Sequence, residues 1–131
     1  MLHPNQFKIN QTWILFQVNR TPIPTESEGD FDCVVLMEAA SCFILSQALW
    51  EAGESEPSLL AIQRLIAEAR AHKGQLARTL LIPNGQFTAR FPAEAERQGI
   101  TVKRVPEDEL MVYIGEAREA FEEYFGGGAA R

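Results

Sequence analysis

The stretch Leu80-Leu81-Ile82-Pro83-Asn84-Gly85-Gln86-Phe87, followed by Thr88 to Gly99 and then Ile100-Thr101-Val102-Lys103-Arg104-Val105, restricts the fold more than any other part of this chain. An apolar run ends in a polar turn, a short helical segment closes on Gly99, and a second β-branched run follows. A helical crossover returns the chain to the same end of the sheet, so the two strands it joins run parallel. Asn84 and Gln86 then sit at the carboxyl end of a parallel strand, where open α/β sheets place ligands.

The preceding half reads as strands. Thr12 to Asn19, with Trp13, Ile14, Leu15, Phe16 and Val18, is a first strand. Thr21-Pro22-Ile23-Pro24 is held extended or turned, and Thr25 to Asp30 is an acidic loop. Phe31 to Met37 is too continuously apolar for a half-exposed strand, which predicts a central strand covered on both faces. Glu38-Ala39-Ala40-Ser41 turns the chain, and Cys42 to Trp50 returns as a third strand, with a helical Ala48-Leu49-Trp50-Glu51 as the alternative for its end.

Helices follow. Ser55 is the expected N-cap, with Glu56 and Pro57 in the first turn. Leu59, Ile62, Leu65, Ile66 and Ala69 recur at helical spacing as far as His72, and Gly74 suits the position after the end. Arg78 to Ile82 is the fourth strand, Thr88 to Gln98 the second helix and Ile100 to Val105 the fifth strand. After Pro106, the acids Glu107, Asp108 and Glu109 favour a helix start, and Leu110, Ile114, Ala117, Phe121 and Tyr124 or Phe125 form its apolar stripe. The expectation is one α/β domain over residues 1–125, a mixed five-stranded sheet in the order β-β-β-α-β-α-β-α. Residues 126–131 are expected to be a flexible tail.

Composition narrows the classes of function. No apolar run approaches the length of a membrane helix, and Met1 to Asn10 has no apolar signal core. Cys33 and Cys42 lie in apolar runs and suit a reduced, cytoplasmic setting. The net charge of −6 is uneven: residues 64–104 carry eight bases against three acids, while both flanks are acidic. The basic middle offers Arg78, Arg90, Lys103 and Arg104 to an anion or, weakly, to nucleic acid, but the overall balance argues against nucleic acid as a partner.

Several tokens together carry a resemblance. Trp13 opens the first strand; the Glu38-Ala39-Ala40-Ser41 turn precedes Phe43-Ile44-Leu45; Asn84-Gly85-Gln86-Phe87 follows the fourth strand; Gln98-Gly99-Ile100 links helix to strand. In this order, from Trp13 to Tyr124, the chain resembles the integrase-like members of the ribonuclease H-like superfamily. It is also similar to uncharacterised bacterial domains with the same layout. The resemblance implies a metal centre: an aspartate in strand one, an aspartate after strand four and an acid in the last helix, holding two divalent cations.

The chain departs from that pattern. The first position falls on Phe16 or Gln17 and the second on Pro83 or Asn84; only the last helix supplies acids, Glu116, Glu119, Glu122 and Glu123. Glu119 follows Asn84 by 35 residues. No spacing supports a Cys-His or Ser-His nucleophile among His3, His72, Cys33, Cys42 and Ser41, and no glycine-rich phosphate loop opens a helix. The reading is therefore a ribonuclease H-like domain without its metal-binding carboxylates. Its expected role is a non-catalytic protein-interaction or scaffold module, self-associating or with other proteins, that needs no cofactor and no membrane. The alternative is a divergent metal- or ligand-binding enzyme whose site at the sheet mouth uses Glu38, Asn84, Gln86 and Glu119.

Overall fold

The computed structural model describes residues 1–126. Its strands are β1 (Thr12–Gln17), β2 (Ile23–Pro24), β3 (Asp30–Glu38), β4 (Ile44–Glu51), β5 (Thr79–Pro83) and β6 (Thr101–Val105). Its helices are α1 (Leu59–Lys73), α2 (Arg90–Arg97) and α3 (Met111–Phe121), the last preceded by a 3₁₀ turn, Glu107–Leu110, and continued by a π-helical turn, Glu122–Gly126. The expected tail over 126–131 lies outside the described residues apart from Gly126, which closes that last turn.

β1 is central. It pairs antiparallel with β3 and parallel with β5; β4 lies antiparallel on the outer side of β3, and β6 parallel on the outer side of β5. The two-residue β2 adds a short sixth strand by pairing Ile23 with Phe31 and Pro24 with Asp30. Three antiparallel strands followed by two parallel ones is the arrangement expected from the sequence.

Alternation along the strands divides the core in two. Trp13, Leu15, Val34, Leu36, Leu80 and Ile82 point to the face covered by α1 and α2, where they meet Ile62, Leu65, Ile66, Phe87 and Phe91. Ile14, Phe16, Cys33, Val35, Met37 and Leu81 point to the other face, under Leu110, Tyr113 and Ile114 of the α3 region. Of the expected Phe31–Met37 run, Cys33 to Met37 lies between two layers, as its continuous apolar character requires, while Phe31 and the charged Asp32 stay partly exposed.

Local chemistry moves several boundaries. Ser58, not Ser55, caps α1 by accepting the Ala61 N–H, and Leu59 stays exposed while Ile62, Leu65, Ile66 and Ala69 are buried. Glu56 precedes the helix and does other work: its carboxylate accepts the N–H groups of Ala89, Arg90 and Phe91 at 2.8–2.9 Å, capping α2 from outside. On the α3 stripe Phe121 packs partly buried against the core and Tyr124 is exposed, while the side chain of Phe125 lies outside what the structure describes. The N-terminal segment, which no strand or helix pattern placed, docks on the 3₁₀ turn and α3: the Leu2 N–H donates to the Glu109 carbonyl and Phe7 packs edge-on against Tyr113.

Candidate functional site

The three parallel strands β1, β5 and β6 end together, and polar residues close that end into a ring. The Gln17 N–H donates to Gln86 Oε1 at 2.9 Å. Gln86 Nε2 reaches Glu107 Oε2 at 3.4 Å, and Arg118 Nη1 donates to Glu107 Oε1 at 2.7 Å. Arg118 Nη2 completes the circuit by donating to the Gln17 carbonyl at 3.2 Å. The Arg118 side chain is 11% exposed, and its Nε is buried without an acceptor. A permanent cation thus stands at the mouth, held by one carboxylate and one carbonyl.

The turn after β5 explains how Gln86 arrives there. Gly85 takes φ +83°, a left-handed conformation that glycine adopts without strain. The Asn84 N–H extends the pairing with β6 by donating to the Val105 carbonyl. Phe87 then drops into the core against Trp50 and Phe91. From β6, Arg104 clamps the turn by donating to the carbonyls of Pro83, Gln86 and Phe87.

The four sequence candidates for the mouth do not converge. Gln86 belongs to the ring and Asn84 stands exposed at its rim. Glu119 is exposed on α3, one residue past the side chain that enters the ring. Glu38 lies at the opposite end of the sheet, because it pairs with Trp13 at the start of β1 and not with the strand's carboxyl end. The hairpin places it there: β3 runs against β1, so its last residue faces the first residues of its neighbour.

Glu38 is a clamp at that far end. Its side chain is fully buried, and its carboxylate accepts Ser41 Oγ at 2.6 Å, Lys73 Nζ at 3.0 Å and the Asn10 N–H at 2.7 Å. Burial raises its pKa, but the Ser41, Asn10 and Lys73 interactions outweigh that and hold it below the ordinary value. Ser41, His72 and Lys73 share with it a cavity of about 310 Å³. The Ser41 hydroxyl proton is given to Glu38, and His72 packs edge-on against Phe43, so no serine–histidine pair forms.

The basic candidates are dispersed as well. Arg90 donates to the Glu56 and Pro57 carbonyls, and Arg104 is spent on the turn after β5. Arg78 precedes β5 at the amino end of the parallel strands, whereas Lys103 is exposed on the edge strand β6. Sequence marked Gln17 only as a position where the resemblance would place an aspartate and Glu107 only as a helix-start acid, and it did not single out Arg118: each is a polar residue at the end or flank of an element, which alone signals only a solvated position.

A two-metal centre needs several converging carboxylates. Phe16 is fully buried and apolar, Gln17 and Gln86 are amides, and the one carboxylate in the ring is already bonded to a guanidinium. Among the described residues no group of three or more His, Cys, Asp or Glu side chains converges in a way that could hold a metal ion. The residues present do not fit that centre.

No family model matches the chain, and no curated protein matches it. Solved structures do. The chain is similar to the simian T-cell lymphotropic virus intasome in complex with PP2A regulatory subunit B56 gamma, with a TM-score of 0.58 and 13% identity over 88% of this chain and 39% of that one. It is similar to the HTLV-2 integrase catalytic core domain in complex with magnesium in its dimeric form, with a TM-score of 0.51 and 12% identity over 76% of this chain and 63% of that one. The match spans under two thirds of either neighbour. At these identities the likeness is one of fold: a ribonuclease H-like α/β domain of integrase-core type.

Proposed function

We propose that this chain is a non-catalytic protein-interaction or scaffold module on a ribonuclease H-like fold. The observation that carries the reading is the closed ring of Gln17, Gln86, Glu107 and Arg118 at the mouth of the sheet. The Gln17 backbone, the Gln86 amide, the Glu107 carboxylate and both terminal nitrogens of Arg118 are engaged within it. The guanidinium opposes a divalent cation by charge, and no second carboxylate is within the ring to offset it. Fold alone carries no activity.

What remains exposed fits association better than chemistry. Phe43, Ile44, Leu49, Leu59 and Leu60 are each more than two fifths exposed, on β4, the turn before it and the start of α1. Both cysteines are free, which agrees with a reducing, cytoplasmic setting. No helix of the described residues is long and apolar enough to cross a membrane. The intasome neighbour is itself held in a complex with a protein regulatory subunit.

Calorimetric titration with Mn²⁺, run on the protein and on Glu119→Gln, tests the reading. It predicts no saturable heat in either. Stoichiometric binding abolished in Glu119→Gln would replace the interaction reading with a metal-dependent activity at the mouth.

A further inference from the structure

β4 is an edge strand, paired with β3 alone. The Ala52 N–H donates to the Asp30 carbonyl at 3.0 Å, and the same register sets Trp50 opposite Asp32, Ala48 opposite Val34 and Ser46 opposite Leu36. Bonded and non-bonded pairs alternate along an antiparallel ladder, so Gln47 and Leu49 turn their N–H and C=O groups away from β3. Among the described residues no other strand lies on that side. Natural edges are commonly guarded by lysine, proline or inward-pointing charge, and from Ser46 to Trp50 this edge has none.

Cavities flank the edge on both sides. Alternation puts Gln47, Leu49 and Glu51 on one face of β4. There Gln47 and Leu49 join Ile23, Cys33 and Phe121 around an apolar cavity of about 430 Å³, and Leu49 is 55% exposed. On the α1 side the edge runs beside cavities of about 260 and 460 Å³. The charged residues lining these three cavities are Glu51, Glu54, Glu56 and Glu68 against Arg64 and Arg90, an excess of two negative charges. Arg90 rests on the Glu56 and Pro57 carbonyls beside the buried Glu56 carboxylate, and Arg64 and Glu68 stand one turn apart on α1. The excess therefore lies with Glu51 and Glu54, both exposed and neither in an ion pair among the described residues. At the amino end of the edge Lys73 is already met by the buried Glu38. A second copy carries the same acids and the same net charge of −6, so like charge opposes self-pairing, and a basic segment is what complements this edge.

We propose that β4 takes an extended, basic segment of a different protein as an added strand, whose backbone exchanges hydrogen bonds with Gln47 and Leu49. In the antiparallel sense, the residue opposite Leu49 shares its face and extends the apolar cleft. The residue two places earlier in the segment falls opposite Glu51. The recognised pattern is a lysine or arginine, any residue, then a large apolar residue. The inference rests on the protein-interaction reading and names the class of partner.

Selection of random short peptides displayed on phage against the protein tests it. The enriched peptide is then titrated by fluorescence anisotropy while hydrogen exchange follows the Gln47 and Leu49 amides. The expected peptides carry the basic and apolar residues at alternate positions, and their binding slows exchange at both amides. Leu49→Pro removes an N–H that β3 does not use, a change that an edge tolerates, and weakens the peptide by about tenfold or more. The double variant Glu51→Lys and Glu54→Lys leaves the backbone of the edge intact and weakens the peptide severalfold, a loss that shrinks as salt is added. Selection that enriches no peptide overturns the proposal, as do peptides that lack the basic residue or leave both amides exchanging freely. Those results leave the interaction reading with another face as its seat. A dimer of the protein alone that protects both amides also overturns it and makes a second copy the occupant. Mn²⁺ binding at the mouth would remove the interaction reading itself, whatever the edge binds.

Discussion

Replacing Glu38 by glutamine separates a clamp from a ligand site. The carboxylate is fully buried and accepts three donors, from Ser41, Lys73 and Asn10. Glutamine keeps the shape but offers one acceptor oxygen, and its NH₂ then faces a donor. The Lys73 ammonium, 20% exposed, loses its counter-charge but recovers part of its hydration. One unsatisfied buried donor and a broken, partly solvated ion pair together cost about 2–4 kcal/mol. Urea unfolding followed by Trp13 and Trp50 fluorescence at pH 7 measures the difference. Its pH dependence has a fixed sign. The folded-state pKa lies below 4.5, so the stabilisation is full above that value and fades as pH falls through the folded pKa. The gap between wild type and Glu38→Gln must therefore shrink in acid. A gap under about 0.5 kcal/mol, the range of an ordinary surface change, or one that does not vary with pH, refutes the clamp.

Glu56→Gln uncaps α2 by setting an amide NH₂ against the N–H groups of Ala89, Arg90 and Phe91, and lowers stability by about 1–3 kcal/mol in the same urea assay. Cys33 is buried, which pushes its thiol up to about 11, and desolvation together with Glu116 raises Cys42 also. A thiol reagent at pH 8 should label the half-exposed Cys42 before Cys33, and rapid labelling of Cys33 in the folded protein would contradict its burial. Arg97 and Gln98 hold Glu94 down to about 2, so Glu94→Gln should lose stability at pH 7 and converge with wild type as pH falls from about 4.5 towards 2.

The sequence exposed the sheet and hid the site for different physical reasons. Cys33 to Met37 declared a two-sided strand because all five side chains are apolar and must leave water, and Leu80 to Val105 declared a parallel pair because a helix separates an apolar run from a β-branched one. Those patterns depend on local period. Glu38 and Glu56 were read as a mouth ligand and a first-turn residue because their partners lie far along the chain: Lys73 is 35 residues from Glu38, and Phe91 is 35 from Glu56. The ring is more extreme, since Arg118 meets a Gln17 carbonyl 101 residues away. No period announces such a contact. Asn84 and Gln86 were correctly placed at the end of a parallel strand, and the hydrogen bonds of Gln86 to Gln17 and Glu107 turn its side chain inward to the protein's own groups.

Amide NMR of the protein titrated with Mn²⁺ tests the central claim, that the mouth is closed by its own polar ring. The ion broadens the signals of amides within its reach, so it reports a metal at the site independently of any activity. The account predicts that Gln17, Gln86 and Glu119 broaden no more than surface amides elsewhere. Selective loss of those three signals at low Mn²⁺, reversed in Glu119→Gln, would show that the ring opens to a metal and would contradict the account.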